Sequence, residues 1–281
     1  MIHCFFVTDI HGSISRFNKL LSAIKSDKPD VVFIGGDILP GNRFDYAHVD
    51  FLQDWLIPRF IDLRRVLERQ YPRIFIILGN DDFRSSEGMM LEADAQGVWS
   101  YIHNRKKFMG DYTVYGLSYV PPTPFALKDW ERYDVSQFVD PGSTHPWEGY
   151  HTTPAPGNLR YKTIKKYLET LTNDDDLSRS IFLFHSPPHN THLDRAALDG
   201  ITVDSVPMDR HVGSIAIRKF IRNRMPFLTL HGHIHESFRL TGVWKEEIGP
   251  TVCINGANET QQLVLTEFSL PNAKDAMRRI L

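Results

Sequence analysis

The opening of the chain alternates between short apolar runs and an amphipathic stretch, which is the pattern of a strand–helix–strand unit. Residues 5–7 are aromatic or β-branched, and a Gly-Ser turn at residues 12–13 follows them. Apolar residues then recur at helical spacing from Ile14 to about residue 25, and residues 31–34 form a second apolar run. Two strands joined by a helix build a parallel or mixed sheet, so the sequence predicts an α/β fold.

Five apolar runs of the sequence end in residues that can bind a metal ion. The endings are Asp9 with His11, Asp37, Asn80, His185, and His233 with His235. Because ligand sites of α/β sheets lie at the carboxyl ends of strands, these side chains are expected to converge. Residues two apart on an extended backbone point the same way, so the Asp9/His11 pair and the His233/His235 pair can each aim at one point. One such pair alone is more often a capping aspartate beside a surface histidine, but five endings together predict a shared site.

Composition is that of an ordinary soluble globular protein. The 281 residues are 42% hydrophobic and 23% charged, with a net charge of −2 and a sequence pI of about 6.7. No basic face is evident, which argues against nucleic acid as a partner. No run approaches the ~18 apolar residues of a membrane span, and Met1 runs almost directly into the first strand. We therefore expect no membrane association, no cleaved signal and a cytoplasmic location. The only cysteines, Cys4 and Cys253, predict no disulfide framework.

A single domain over residues 1–281 is the simplest interpretation, because no clear linker or repeat divides the chain. Residues 121–158 stand apart as a long loop insertion that is rich in Pro, Gly, His, Thr and aromatic residues and shows no periodicity. A stretch of this kind is typical of a functional loop or lid. An ordered surface excursion without a role is equally compatible with it.

The remaining patterns predict further elements. Helices are expected at residues 45–70, bent near Pro58, at 159–171 and after the Gly213-Ser214 pair. A short helix and a strand are expected within residues 86–101, and buried strands at 73–78, 181–184 and 227–230. A hairpin is expected at residues 107–117 and short antiparallel strands between 236 and 270. Of the 13 histidines, four are interpreted as surface residues: His3, His48, His103 and His151.

The set Asp9-x-His11, Gly36-Asp37, Gly79-Asn80, His185 and Gly232-His233-x-His235 resembles the signature of the calcineurin-like metallophosphoesterases in order, spacing and strand context. The resemblance spans residues 9–235 and does not account for the loop insertion. It implies a four-layer α/β/β/α sandwich of two mixed sheets. It also implies a metal-dependent phosphoric ester hydrolase whose substrate is a small phosphomonoester or phosphodiester, for example a nucleotide-like compound.

The resemblance further implies a pair of bound metal ions. Asp9, His11 and His235 would hold one ion, Asn80, His185 and His233 would hold the second, and Asp37 would bridge them. A shared carboxylate offsets the repulsion between two cations ~3.5–4 Å apart. Nitrogen and oxygen ligands without thiolate suit divalent or trivalent Mn, Fe or Zn. A hydroxide that bridges the two ions would attack phosphorus in line.

One residue departs from the family pattern, which commonly reads Gly-Asn-His-Asp. The third position here is Asp81, whose carboxylate would repel a phosphate, and Asp82 matches the final acid but lacks the histidine that it would orient. General acid catalysis is worth ~10²–10⁴-fold, so its loss favours activated aryl phosphates and phosphodiesters. A general acid from another part of the chain could protonate the leaving group in place of the missing histidine. His189 and His211 are the main candidates, because one follows His185 on the same loop and the other precedes a helix start.

Other side chains have two possible roles each. His145 and His192 are further candidates for the acid. For each of the four candidate histidines, an ordinary hydrogen bond of a loop residue is the more common role. His231 could orient a metal ligand or be structural. The aromatic residues of the loop insertion could stack on a base or anchor the insertion to the core, and these are Trp130, Tyr133 and Trp147.

Two other functions remain open. Asp81 is the reason to consider a catalytically weak module that binds a phosphorylated ligand or serves in an assembly. A nuclease would share the chemistry of a phosphoesterase, but the lack of a basic stripe argues against it.

Overall fold

The computed structural model describes residues 1–41, 51–157 and 159–281, in which fourteen strands form two six-stranded sheets and one small hairpin. In chain order the strands are β1 (Ile2–Val7), β2 (Val31–Gly35), β3 (Arg73–Ile77), β4 (Ser100–Tyr101), β5 (Arg105–Met109), β6 (Tyr112–Leu117), β7 (Ser180–Phe184), β8 (Thr202–Val203), β9 (Val206–Pro207), β10 (Leu228–His231), β11 (Lys245–Ile248), β12 (Thr251–Asn255), β13 (Val264–Leu270) and β14 (Met277–Ile280).

Both sheets are mixed, with a parallel centre. The first sheet has the order β14-β13-β1-β2-β3-β4, in which β1 to β4 are parallel and β13 and β14 are antiparallel to their neighbours. The second has the order β11-β12-β10-β7-β6-β5, with four parallel central strands and antiparallel edges. Parallel neighbours end at the same edge of a sheet, so the loops after β1, β2 and β3, and those after β7 and β10, are brought side by side.

The described helices are α1 (Ile14–Asp27), α2 (Ile57–Leu67), α3 (Glu87–Ala95), α4 (Ile164–Thr172), α5 (Ile215–Arg224) and α6 (Ser237–Thr241). Three of them begin at a hydroxyl cap, where a side-chain oxygen accepts a backbone N–H that the helix leaves free. The caps are Ser13 of α1, Thr163 of α4 and Ser214 of α5. A π-helical turn at Phe51–Leu56 leads into α2, which has Pro58 in its first turn, where the missing N–H of proline does no harm.

Alternating side chains of the central strands divide the core into layers. Phe6 of β1 and Leu183 of β7 belong to one buried cluster that lies between the two sheets. Phe5 faces the opposite way and joins a cluster with Phe17 of α1. On the second sheet, the ring of Phe182 packs 5.0 Å from that of Phe220 of α5. Helices thus cover the outer face of each sheet, and the predicted α/β/β/α sandwich is confirmed.

The described elements agree with most of the predicted ones and differ at some ends. The helix expected at residues 159–171 begins only at Ile164, because Thr163 caps it. The helix expected at 45–70 is described from residue 51, and its positions before that, including His48, lie outside the described residues. Within the stretch expected to be antiparallel strands, residues 237–241 form the short helix α6 instead. The predicted hairpin is present as β5 and β6, joined at Gly110-Asp111.

His103 corrects a prediction, because it is buried and not on the surface. Only 7% of it is exposed, and its Nδ1 accepts the backbone N–H of Ser118 at 3.0 Å. Its ring lies edge-on to those of Tyr119 and Trp130, with centroids 4.7 and 4.9 Å away. Burial and nearby arginines lower the pKa of His103 well below its usual value, so the side chain is a neutral part of the core.

Residues 121–157 form an ordered excursion held by buried polar contacts. Lys128 and Glu131 make an ion pair at 2.6 Å, and both side chains are fully buried. Trp130 Nε1 donates to the carbonyl oxygen of Asp82 at 2.7 Å, and the carboxylate of Asp129 accepts the backbone N–H of Arg84 at 2.8 Å. The excursion therefore packs directly behind the loop that follows β3.

No helix in the described ranges, 1–41, 51–157 and 159–281, is both long and apolar enough to span a bilayer.

Candidate metal centre

The seven side chains predicted to bind metal are brought together where the carboxyl ends of the two sheets meet. Four of them follow strands of the first sheet: Asp9 and His11 after β1, Asp37 after β2 and Asn80 after β3. Three follow strands of the second sheet, and they are His185 after β7 and His233 and His235 after β10. A hydrogen bond joins the two sets, because the Asp9 carboxylate accepts the backbone N–H of His233 at 3.1 Å.

A first group consists of Asp9, His11, Asp37 and His235, each offering one ligand atom within 4.8 Å of the others. His235 Nε2 lies 3.1 Å from Asp9 Oδ1 and 3.2 Å from His11 Nε2. His11 Nε2 lies 4.0 Å from Asp37 Oδ2. Two imidazole nitrogens and two carboxylates thus face a common point.

A second group consists of Asp37, His185 and His233. His185 Nε2 lies 3.2 Å from Asp37 Oδ2 and 2.9 Å from Asn80 Oδ1, so the Asn80 side chain belongs to this group as well. The His233 ring is 5.2 Å from that of His185, centroid to centroid. Asp37 is common to both groups, which is the place that a bridging carboxylate occupies in a two-metal site.

The donor chemistry of the second group fits a cation. His185 Nδ1 donates to the carbonyl oxygen of Gly35 at 2.9 Å, which fixes the proton on that nitrogen. Nε2 then presents a lone pair to the oxygens of Asp37 and Asn80, which present lone pairs of their own. Three acceptors this close repel one another unless a positive charge lies between them.

The charges around the two groups favour a positive charge at the same place. Burial alone would lower the pKa of His185, but the carboxylates of Asp37 and Asp9 outweigh it and raise that pKa to about 10. Burial likewise opposes protonation of His235, yet the hydrogen bond and charge of Asp9 raise its pKa to about 9. The raised pKa values of His185 and His235 show that the carboxylates favour a positive charge there, so the residues present fit a bound metal.

Four of the seven side chains stand on a left-handed backbone. The φ angles are 54° at Asp9, 50° at His11, 49° at Asp37 and 73° at His233. His233 is not extended, so the explanation by an extended backbone was wrong for the His233/His235 pair. The expectation that Asp9 and His11 converge because their backbone is extended was wrong as well. They converge through a tight turn, which is held by the bond from Asp9 N–H to Gly36 O at 3.0 Å and that from His11 N–H to Asp37 O at 2.8 Å. Strained backbone of this kind clusters at functional sites.

Two glycines let the strands' loops approach the ligands. A Cβ added at Gly79 would lie 2.3 Å from Asp37 Oδ1 and 2.7 Å from His185 Cε1. A Cβ at Gly232 would lie 2.5 Å from Asp9 Oδ2. No side chain fits at either position, so these glycines set the spacing of the carboxylates and imidazoles.

Asp82 ties the loops after β2 and β3 together. Its fully buried carboxylate accepts the backbone N–H groups of Ile38, Leu39 and Gly79, at 3.0, 2.8 and 2.8 Å. Burial and the nearby Asp37 raise the pKa of Asp82 to about 8. The contacts of Asp82 are those of a positioning residue beneath the site.

Asp81 lies at the edge of the site and is partly exposed. Its Oδ1 accepts Asn80 Nδ2 at 2.9 Å, and its Oδ2 lies 3.8 Å from His11 Nδ1. Its backbone N–H donates to Asp37 Oδ1 at 2.8 Å. The charge of Asp37, followed by burial, raises the pKa of Asp81 to about 7. Asp81 is therefore close enough to the ligands for its charge to act on a bound phosphate.

The candidate general acids each pair with a carboxylate that is not one of the seven ligands. His189 Nε2 lies 3.1 Å from Asp209 Oδ2, and His211 Nδ1 lies 2.8 Å from Asp194 Oδ1. The rings of His189 and His211 are 6.1 Å apart, so the two form a pair beside the loop that follows β7.

The weaker candidates make contacts that account for them. His192 pairs with Glu246 at 2.8 Å, and His145 bonds to the hydroxyl of Tyr133 at 2.7 Å. His231 is buried and stacks on Phe184. Its Nδ1 donates to the carbonyl oxygen of Ser186, and its Nε2 accepts the hydroxyl of Thr229. Burial lowers its pKa to about 4, so it is a neutral structural residue.

The aromatic residues of the excursion serve as anchors. Trp130 and Tyr133 are buried, and Trp147 lies between His145 and the guanidinium of Arg160, whose Cζ is 4.2 Å from the ring centroid. These contacts leave no open face of Trp130 or Tyr133 for a base to stack on.

Arg16, which was not predicted from the sequence, supports the first group from behind. Its Nη1 donates to the carbonyl oxygen of Asp9 at 2.8 Å. Arg16 lies in the first turn of α1, and helical side chains lean towards the N-terminus, which carries the guanidinium back to the loop before the helix. Its place three residues after the Ser13 cap was the only signal in the sequence.

Comparison with known proteins gives a family and a fold. The sequence profile of the calcineurin-like phosphoesterase family matches residues 2–237. The crystal structure of TT1561 of Thermus thermophilus aligns with 99% of this chain and 98% of its own, at 14% identity and a TM-score of 0.57. A second crystal structure aligns with 99% of this chain and 98% of its own, at 16% identity and a TM-score of 0.58. At these identities the two structures support the fold alone. Curated proteins give no match.

Proposed function

Because the chain belongs to the calcineurin-like phosphoesterase family, we propose that it is a dinuclear metal-dependent hydrolase of small phosphodiesters. The single observation that carries the proposal is the position of Asp37, which is shared by two groups of nitrogen and oxygen donors. Side chains from both sheets converge there with their lone pairs facing one another, and a pair of cations relieves that repulsion. We further propose that the substrate is a small phosphorylated molecule of the cytoplasm and not a nucleic acid.

The residues that would hold the ions follow from the two groups. Asp9, His11 and His235 would bind one ion, and Asn80, His185 and His233 the other, with Asp37 between them. When bound, the two ions would offset charge on the phosphoryl oxygens and acidify an attacking water. The donor set suits Mn, Fe or Zn.

Asp81 supports a preference for diesters. It occupies the position where the family commonly has a histidine, beside His11 and Asp37. A carboxylate there repels the dianion of a monoester more strongly than the monoanion of a diester, because Coulomb energy grows with the product of the charges. Activated aryl esters also remain substrates, since their leaving groups need little protonation.

Protonation of the leaving group is assigned to the His189 and His211 pair. The Asp209 carboxylate orients His189 and the Asp194 carboxylate orients His211, as an aspartate orients the histidine of many acid–base pairs. Asp82 acts indirectly, by holding the loops that carry Asp37 and Asn80.

The test compares an aryl phosphodiester with the matching aryl phosphomonoester, using protein whose metal content has been measured by elemental analysis. We expect about two ions per chain, a higher kcat/KM on the diester, and loss of activity on chelation. Asp81→His should move the diester-to-monoester ratio towards the monoester by ~10-fold or more, because it removes a charge and restores an acid. Asp81→Asn is the matched control, because it removes the charge alone.

The alternatives give different results in the same experiment. Two bound ions with no turnover of either ester, in wild type and Asp81→His alike, would instead indicate the phospho-ligand-binding or assembly module. Protein that retains no metal after supplementation would contradict the assignment of the ligands. A steep loss of activity with salt would favour a nuclease.

A further inference from the structure

Arg132 is a buried cation without an acidic partner in the described part of the chain. Only 1% of the residue is exposed. Its Nη1 donates to the carbonyl oxygens of Asp129 and Glu131, at 3.2 and 2.6 Å. Its Nε and Nη2 are buried and have no hydrogen-bond partner among the described residues. A guanidinium stays protonated in proteins, so this charge is unbalanced where water does not reach it.

The acids beside Arg132 are bound to other donors. The Glu131 carboxylate accepts from Lys128 Nζ at 2.6 Å and from the backbone N–H of Thr123 at 2.9 Å. The Asp129 carboxylate accepts the backbone N–H of Arg84 and both donors of Thr152. Neither side chain is free to turn towards Arg132 without leaving other buried donors unpaired.

A second guanidinium lies against the same aromatic cluster. Arg132 Cζ is 4.3 Å from the ring centroid of Tyr119, and Arg84 Cζ is 5.5 Å from that of Trp130. Both rings contact His103. Arg84 pairs with Glu87 through Nε at 3.6 Å, yet its buried Nη1 has no partner among the described residues.

Two further groups beside the cluster, His103 and Ser118, carry no negative charge. His103 accepts the Ser118 N–H through Nδ1 and is neutral. The buried hydroxyl of Ser118 likewise has no partner in the part of the chain that the structure describes. The unpaired N–H groups of Arg132 and Arg84 and the unpaired hydroxyl of Ser118 are donors of the kind that bind an anion.

We propose that a small inorganic anion, chloride in ordinary buffers, binds at Arg132 Nε and Nη2 behind the loop that follows β3. Burying an unpaired charge destabilises the folded protein, and a bound counter-ion offsets most of that penalty. The ion lies beside the aromatic cluster that Arg132 and Arg84 both contact, and Arg84 is two residues after Asp82. The site supports the fold around the metal centre and does not depend on the proposed phosphoesterase activity.

Anomalous diffraction tests the site directly. Crystals of the wild-type protein are grown with bromide in place of chloride, and data are collected at the bromine absorption edge. We expect an anomalous peak in contact with Arg132 Nε or Nη2. Electron density for ordered water there, without an anomalous peak while bromide is seen elsewhere on the surface, overturns the proposal.

Thermal unfolding supplies a second readout in solution. At equal ionic strength, chloride should raise the Tm of the wild-type protein by ~3 °C or more over gluconate, because the anion binds the folded state. Arg132→Gln should lose that difference. Arg179→Gln, on an exposed arginine paired with Asp111, is the matched control and should keep it. An equal Tm in both salts for the wild-type protein would contradict the proposal even if Arg132→Gln does not fold.

Discussion

At the scale of single residues, the candidate site depends on backbone conformations that most residues avoid. Asp9, His11, Asp37 and His233 are left-handed, and each such residue costs ~1–3 kcal/mol unless its surroundings fix it. Here the backbone bonds between the loops after β1 and β2 do so. The carboxylates and imidazoles are therefore held in place before any ion binds, and binding loses little conformational freedom.

Gly79→Ala should damage the metal centre without unfolding the protein. The added methyl would overlap Asp37 Oδ1 and approach His185, both fixed by the rest of the site. Overpacking of this kind costs ~1–3 kcal/mol, which corresponds to a ~5–150-fold weaker metal affinity. Isothermal titration with Mn²⁺ measures it. Gly88→Ala is the control, because a Cβ at that helical position has open space around it, and its affinity should equal that of wild type.

His103→Gln should reveal the pH dependence that a buried neutral histidine imposes. Burial, reinforced by nearby arginines, depresses the pKa of His103 from 6.5 in the folded protein. The unfolded chain therefore binds an extra proton as the pH falls below about 6.5. The stability that neutral His103 contributes is fully present above about pH 6.5. As the pH falls below that value, the free energy of unfolding decreases by about 1.4 kcal/mol per pH unit.

Chemical denaturation at several pH values measures this effect. The stability difference between wild type and His103→Gln should shrink as the pH falls from 7 to 5. A constant difference for His103→Gln would contradict the assignment.

The types and order of the residues were enough to predict the candidate site. The surroundings of individual side chains could not be predicted from the sequence. An acid or histidine that follows an apolar run can be recognised in the sequence, because a change in composition marks the end of each strand. The burial of His103 is not, since it depends on Tyr119 and Trp130 folding over it. The structural role of Asp82 was equally hidden, because its three N–H donors belong to two separate loops.

At the scale of elements, the excursion over residues 121–157 acts as a brace for the loop after β3. It packs on that loop through Trp130 and Asp129. Regular strands were predictable because their side chains alternate or form apolar runs. The structure of the excursion was not predictable, because it is held by buried polar pairs such as Lys128 and Glu131. No periodic pattern in the sequence indicates such pairs.

Trp130→Phe should loosen this brace. It leaves the Asp82 carbonyl oxygen without its 2.7 Å donor, at a cost of ~1–3 kcal/mol for an unsatisfied buried group. We expect faster hydrogen exchange in residues 82–85 and 128–132 and a lower Tm. Trp147→Phe removes a more exposed bond, from Nε1 to the Tyr133 hydroxyl, and should change exchange in residues 82–85 little. Equal effects of the two variants would contradict the brace.

At the scale of the whole molecule, two sheets with parallel centres place their strand ends at one edge. The strand–helix pattern of the first 35 residues predicted this class of fold, and the family match is consistent with it. Which strands pair, and that β13 inserts beside β1, follow from long-range packing that local patterns do not encode. The expectation of one domain over residues 1–281 stays a prediction.

Removal of metal should destabilise the whole protein. Ions that bind only the folded state at ~100–1,000 times their Kd add ~3–4 kcal/mol, so chelation should lower Tm by ~5–15 °C. Differential scanning calorimetry before and after chelation, and after Mn²⁺ is restored, measures this change. Asp37→Asn, which weakens both groups at once, should show a much smaller response. A Tm that chelation leaves unchanged in metal-loaded wild type would contradict a structural contribution from the ions.

Each sheet contributes an incomplete set of the proposed ligands: Asp9, His11, Asp37 and Asn80 come from the first, and His185, His233 and His235 from the second. Tight uptake of ions during refolding would therefore report the moment at which the two halves of the sandwich dock. A refolding intermediate with only one sheet formed would hold ions weakly. The time course of the absorption of bound Co²⁺ would therefore measure how fast the two sheets dock.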